Sequence, residues 1–438
     1  MSVGVAPRAA ALAAVRAVDA GAWSTRAVPD AIAELPDVRD RALAAHLAHG
    51  TIRWRGTLDW TLQQVVSRPL ESVEEALAQV LRLGVFQLRH SRVPARAAVD
   101  TSVELARASV PGRRGKGAAG FVNGVLRTVD RRGSALDAMM ASNDDEARIA
   151  LQTGHPEWIV GERLAALDDA ATVEVLLAAD NEPPGLTLRA MGDRDSLVAT
   201  LRADGIEAEP TAHAALGVRA PGTDPRRLAV VANGTAVPQD EASMLVGAAV
   251  GVTAGDRVVD LCAAPGGKAI DLAVRAGPTG RVTAVELHPS RARLVTEAAT
   301  RVGVDLDVVV GDALEVDLPR DVDAVLVDAP CTGLGVGRRR PEVRWRRHPE
   351  DLPGLASLQA ALVGRAIELV RDGGRVTYSV CTWTVAETTD VVAAVEAASP
   401  RPLTRGTMRQ LRPDVDGTDG MFHVTWQVGD AASTSAAR

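Results

Sequence analysis

Three features of the 438-residue sequence predict a multidomain chain with an all-α N-terminal bundle, a small α+β subdomain and a Rossmann-like α/β core. Apolar residues recur at three- and four-residue spacing through the first third. Short strands around a helix follow. The last part then repeats a strand, loop and helix pattern in which polar or reactive residues collect at strand ends. A chain of this length exceeds one comfortable hydrophobic core, so two or three domains are expected.

Residues 1–135 read as a bundle of roughly six or seven helices, each burying one apolar stripe. The stripes run through Ala10 to Val18, Leu43 to Ile52, Leu58 to Val66 and Ala76 to Leu88, with Pro94, Pro111 and the glycines from Gly115 to Gly120 as punctuation. This segment holds 19 Lys/Arg against 12 Asp/Glu, which leaves 30 against 44 in residues 136–438, so the net charge of -7 conceals a basic front. That asymmetry permits a nucleic-acid surface and is equally what a solvated face would show. In residues 136–235, ASNDDEARIALQTGHPEWIVGERLAAL predicts two helices broken near Gly154 and Pro156. LTLRAM and LAVVAN read as strands around a helix containing Leu197 and Leu201. The core is placed at 236–430 and a flexible tail at 431–438.

The core opens with DRVVDL as a buried strand, CAAPGGK as a turn and a helix from Ala269. Small residues there let the backbone approach a ligand at a helix N-terminus. A triphosphate cradle would need Gly at 262 and Ser or Thr at 269, where the chain has Cys262 and Ala269. The GxGxxG spacing is absent too, which favours an adenosine-bearing cofactor other than NAD. GRVTAVEL then ends in Glu286, twenty residues beyond Gly266. LDVVVGDAL ends in Asp312, DVDAVLVDAPC in Asp328 and Cys331, and GGRVTYSVCTW in Cys381. A doubly wound sheet would gather these ends in one crevice. The alternative, that Asp312 and Asp328 only cap helices, explains one aspartate more easily than the series.

The three cysteines form no disulfide framework and no CxxC zinc spacing, so no metal site is expected. No processing signal and no run of 18 apolar residues is present, which predicts a soluble, cytoplasmic protein.

DLCAAPGGKA, AVELHPSR, GDALEVD, VLVDAPCTGLGVGRRRPEVRW and GGRVTYSVCTW resemble the successive motifs of the NOL1/NOP2/Sun family of RNA cytosine-5 methyltransferases. RALAAHLAHGTIRWRGTLDW, LRLGVFQLRHSRVPARAAVDTSVELA and GKGAAGFVNGVLR resemble the NusB-like helical domain, an RNA-binding or protein-binding module. The resemblance spans about residues 5–428 and, through the domain order, implies the bacterial branch acting on 16S ribosomal RNA, naked or in a partly assembled small subunit. It implies a monomer with S-adenosyl-L-methionine as cofactor and no membrane partner. Cys262, Ala263, Ala264, Pro265, Gly266, Gly267 and Lys268 would hold the cofactor's amino-acid end, Glu286 and Arg291 the ribose side, Asp312 the adenine side, and Asp328 both cofactor and base. Two positions depart from the family pattern, Val380 for a usual Thr and Thr388 for a usual Asn.

Cytosine C5 needs activation before it accepts a methyl group. A thiolate adding at C6 pushes electron density to C5, and a partner at N3 stabilises the developing charge. Both Cys331 and Cys381 end strands at the crevice, so position alone does not choose between them. The family resemblance assigns Cys381 as nucleophile and Cys331 to product release, with Asp328 at N3; Cys262 reads as a small buried residue. Arg338, Arg339, Arg340 and Arg344 after the DAPC turn suit a phosphate backbone, and Trp345 is either a stacking platform or a core anchor. In the bundle, Arg53, Arg55, Arg89, Arg92, Arg96, Arg113 and Arg114 are phosphate-contact candidates. Alternatives are another RNA such as transfer RNA, DNA, or a non-catalytic RNA-binding assembly protein.

Overall fold

The computed structural model describes residues 4–110, 114–167 and 169–429; Arg113 and the tail 431–438 lie outside them. The chain divides into two compact units, residues 1–182 with 337–348, and residues 183–336 with 349–438. The boundaries expected after residues 135 and 235 therefore fall inside units.

The first unit is helical. Seven α-helices cover Val5–Asp19, Ser24–Ile32, Val38–Arg53, Arg55–Gln63, Glu75–His90, Ala95–Ser109 and Arg114–Arg131. Helix Glu75–His90 runs through the middle, buried continuously from Leu77 to Gln87. Its Phe86 packs so closely on Gly50 that a β-carbon there would come within 1.9 Å of the ring, which only glycine allows. Helices Asp145–Thr153 and Glu157–Leu167 follow, separated by Gly154 in the left-handed region (φ 66°), as the Gly154–Pro156 break predicts. A further helix, Ala170–Ala179, was not anticipated; Val173, Leu176 and Leu177 form its buried stripe.

The second unit begins with a four-stranded antiparallel sheet of β1 (Leu186–Ala190), β2 (Glu209–Pro210), β3 (Gly217–Ala220) and β4 (Ala236–Pro238), in the order β2-β3-β1-β4. Helix Arg194–Ala203 covers it with Leu197, Val198 and Leu201. LAVVAN is not a strand. It forms the short helix Ala229–Ala232, because a 3-10 turn at Pro225–Arg227 and the left-handed Gly234 (φ 80°) leave no room for a ladder, and Val230 and Val231 both face the core.

The larger sheet comprises β5 (Arg257–Asp260), β6 (Arg281–Glu286), β7 (Asp307–Val310), β8 (Val322–Asp328), β9 (Val370–Val380), β10 (Leu403–Leu411) and β11 (Met421–Val428). Its order is β10-β11-β9-β8-β5-β6-β7, with β5 to β9 parallel and β11 antiparallel to both neighbours. Valines and leucines of β5, β8 and β9 are buried on both faces, as a covered parallel sheet requires. The chain leaves β5 toward β6 and β7, then returns to β8 on the other side. This reversal opens a crevice at the carboxyl ends of β5 and β8, where such sheets bind ligands. Among the described residues no helix is long and apolar enough to cross a membrane.

Candidate active site

Asp260 ends β5 and the chain turns at Gly266, whose φ of 110° suits glycine, into helix Gly267–Ala276. A β-carbon on Gly266 would stand 3.2 Å from the Val295 backbone, so the turn lies flat on helix Pro289–Val302. Cys262 donates its N–H to Asp260 Oδ1 at 3.2 Å, while Asp260 Oδ2 is buried with no partner. Burial, reinforced by the charge of Asp328, pushes the Asp260 carboxyl up to about 7. Burial and then the Asp260 charge push the Cys262 thiol far up, which suits an inert sulfur.

Glu286 ends β6. It accepts from His288 N at 3.1 Å and faces Arg291 at 3.3 Å, and Arg291 also donates to the Ala264 carbonyl at 3.3 Å. These two residues thus fasten the loop to the end of β6. Asp312 lies just beyond β7, exposed, and accepts from Leu314 N at 2.9 Å, so its side chain caps its own turn. Leu287 and Leu314, which carry no motif of their own in the sequence, are exposed apolar residues beside Glu286 and Asp312. The set fits an adenosine-bearing group: a carboxylate beside a ribose position, apolar surface for a base, and an orphaned buried oxygen awaiting a polar partner.

The β8–β9 register pairs Asp328 with Ser379. That pairing carries the two strand ends out side by side and brings Cys331 Sγ to 3.4 Å from Cys381 Sγ. Residues fifty positions apart therefore share one site. Lys268 Nζ donates to Asp328 Oδ2 at 2.8 Å. Burial alone would lower Lys268, but the charge and hydrogen bond of Asp328 outweigh it, with Cys381 adding to the pull, and hold the ammonium above its ordinary range. The hydrogen bond to Cys381, then burial, pushes the Cys331 thiol well above the ordinary range. Val380 is fully buried in the apolar cluster against which Cys331 packs, and Thr388 donates to the Thr384 carbonyl at 2.7 Å. Asp260 carries no sequence signal beyond being an acidic residue at a strand end, and its burial alone marks it, whereas Glu387 keeps the Glu that the family pattern has before Thr388.

The arginine-rich segment 337–348 belongs to the helical unit. Arg344 is 2% exposed and gives its guanidinium to Gly154 O, Asp180 O and Asn181 Oδ1 at 2.8–3.2 Å. The expected phosphate contact is thus corrected: its donors are spent on backbone and amide acceptors inside the fold. Trp345 is an anchor, its Nε1 donating to Ile52 O at 2.7 Å and its ring lying against Gly56. Arg346 bonds the Val18 and Ala22 carbonyls. Arg338 donates to Glu182 O at 3.1 Å, Arg339 is half-buried, and exposed Arg340 lies over the Trp23 ring at 5.2 Å. Of the bundle candidates, Arg53 is buried and bonded to Arg338 O, which removes it from a phosphate-contact role. Arg55, Arg89 and Arg96 pair with Asp19, Asp137 and Asp100, while Arg92 and Arg114 are exposed.

Residues 249–426 match the family model described as 16S rRNA methyltransferase RsmB/F, and residues 5–131 match the NusB family. A Mycobacterium tuberculosis protein named as a methyltransferase is 40% identical over 441 residues, covering 95% of each chain. The ribosomal RNA small subunit methyltransferase B of Pseudomonas putida is 32% identical, covering 95% of this chain and 97% of the relative. The solved structure of PH0851 shares the fold over 98% of this chain and 99% of its own, with a TM-score of 0.84 at 19% identity. The chain belongs to the RsmB/F family of 16S rRNA methyltransferases, with a NusB-family domain at its front.

Proposed function

We propose that this methyltransferase modifies C5 of a cytosine in small-subunit ribosomal RNA through a covalent bond between Cys381 and C6. The observation that carries this reading is the contact of two thiols, 3.4 Å apart, beside the Lys268–Asp328 pair at the switch point of the sheet. A single thiol suffices for addition; a second in contact with it suits a reaction that must also release the adduct.

S-adenosyl-L-methionine supplies an electrophilic methyl group when bound. Cys262 to Lys268, Glu286 and Arg291 hold it, with Asp312, Leu287 and Leu314 toward the base. The Lys268 ammonium lies in the field of Cys381 and favours its thiolate, while Cys331 is kept as a thiol. By the family resemblance Cys381 is the nucleophile; once methylated C5 has given up its proton to a base, Cys331 hydrogen-bonds the sulfur as it leaves. Asp328, bridged to Lys268, faces N3 of the base and shares the ammonium proton as charge develops there. The target cytosine must leave its stack, because a thiolate cannot reach C6 of a stacked base. Arg338, Arg339 and Arg340 serve the RNA backbone.

Incubation of wild type, Cys331→Ser and Cys381→Ser with S-adenosylmethionine and small-subunit RNA tests the reading. Cys381→Ser forms neither adduct nor 5-methylcytidine, and Cys331→Ser accumulates a denaturation-resistant adduct. Product made by Cys381→Ser would refute the assignment.

A further inference from the structure

Glu387 is fully buried, yet none of its bonded partners is a cation. Its carboxylate accepts four hydrogen bonds. Oε1 takes Thr332 N at 2.8 Å and Gln359 Nε2 at 3.0 Å, and Oε2 takes the hydroxyls of Thr332 at 2.6 Å and Thr384 at 2.8 Å. Its own carbonyl lies 2.7 Å from the Tyr378 hydroxyl, which is also 3.0 Å from Gln359 Oε1.

The connections converge on the cysteines. Gln359 donates its other hydrogen to the carbonyl of Pro330, immediately before Cys331, while Thr332 follows Cys331 directly. The Thr332 hydroxyl is 2.8 Å from that of Thr382, the residue after Cys381. Thr384 stands two residues further along the same loop. One carboxylate thus ties both flanks of Cys331 to the segment that carries Cys381. A tether alone needs no charge, since a buried anion without a counter-cation is destabilising. An ionised carboxylate is, however, the side chain that offers four acceptor sites and no donor.

We propose that Glu387 is a positioning residue for the cysteine pair, acting through Thr332, Thr384 and Gln359 to hold the Cys331 sulfur against Cys381. Its negative charge, close to Cys331, also adds to the forces keeping that sulfur protonated. This rests on the reading of the pair under Proposed function, but its geometric half is testable without RNA.

Dibromobimane bridges two thiols only when they are adjacent, and peptide mapping locates the bridge. In the full-length protein, bridging of Cys331 to Cys381 is expected to slow about tenfold or more in Glu387→Ala, because loosened neighbours lose effective concentration. In Glu387→Gln the two threonine hydroxyls can reverse, so bridging persists, while alkylation of Cys331 begins at lower pH than in wild type. Thr384→Val, which removes one donor and touches neither thiol, slows bridging by an intermediate amount and serves if Glu387→Ala does not fold. With RNA, Glu387→Ala loses about 100-fold in kcat, as for a misplaced reacting group, while RNA KM and cofactor affinity hold. Wild-type bridging rates in both Glu387→Ala and Thr384→Val, or an unshifted Cys331 pH profile in Glu387→Gln, would overturn the proposal. A bridging defect in a protein whose wild type forms no RNA adduct would instead sustain the positioning role and count against the cytosine chemistry.

Discussion

Replacing Asp260 by asparagine removes a charge that the fold accommodates poorly. The carboxyl is 1% exposed, with Oδ2 unpartnered, and its pKa rises from 3.8 to about 7 through burial and then the Asp328 charge. In the unfolded chain it titrates near the ordinary value, about 3.9. Between these two values the native state binds more protons than the unfolded one, so stability falls as pH rises from about 4 to about 7 and then levels. At about 1.4 kcal/mol per unit, a rise of about three units corresponds to about 4 kcal/mol lost across that window. Asparagine keeps an oxygen for Cys262 N–H and carries no charge. Urea unfolding of wild type and Asp260→Asn from pH 4.5 to 8 should therefore give curves that diverge, the variant gaining relative stability as pH rises. Asp328→Asn, by removing the second cause, should move the wild-type window to lower pH. Parallel wild-type and Asp260→Asn profiles would refute the reasoning.

Other perturbations bear on different parts of the molecule. Arg189 and Asp271 form a buried ion pair at 3.0 Å, and Asp271 also holds Arg275 at 3.1 Å, so Arg189→Met leaves Asp271 one cation and should cost about 1–3 kcal/mol in thermal or urea unfolding. Arg344→Met strips donors from Gly154 O, Asp180 O and Asn181, and a loss of about 2–4 kcal/mol is expected; a change under about 0.5 kcal/mol would show that Arg344 is no anchor. Alanine at Arg338, Arg339 and Arg340 together should weaken RNA binding and flatten its salt dependence by about 0.7 in log–log slope for each phosphate no longer neutralised. Cofactor affinity should not change in that variant, and its loss would sink the assignment of these arginines to RNA.

Periodicity made the helical bundle and the five parallel strands readable, because each element buries one stripe or is covered on both faces. LAVVAN misled because a short apolar run fits a turn of helix as well as a strand, and only the flanking Pro225 and Gly234 decide. Strands β10 and β11 escaped notice for another reason. Most of β10 is exposed, so no alternation marks it, and the segment pairs only because β11 lies beside β9. Cys331, Cys381, Asp328 and Lys268 were legible as strand-end and loop residues, and the β8–β9 register turns that sequence pattern into a contact. Arg344 and Trp345 show the limit of local reading. Adjacent arginines look alike in sequence, and only carbonyls from distant helices separate an anchor from a surface cation. Glu387 was legible only as the Glu that precedes Thr388 in the family pattern; its bonding was not, because its four donors come from three separate segments.

Trapping the covalent intermediate is the measurement closest to the central claim. Cys331→Ser, incubated with S-adenosylmethionine and small-subunit ribosomal RNA, denatured and digested, should yield one cysteine-containing peptide bearing a methylated cytosine nucleotide, with the bond at Cys381. A modified nucleotide on Cys331 in the Cys381→Ser protein, or 5-methylcytidine formed by Cys381→Ser, would contradict the account.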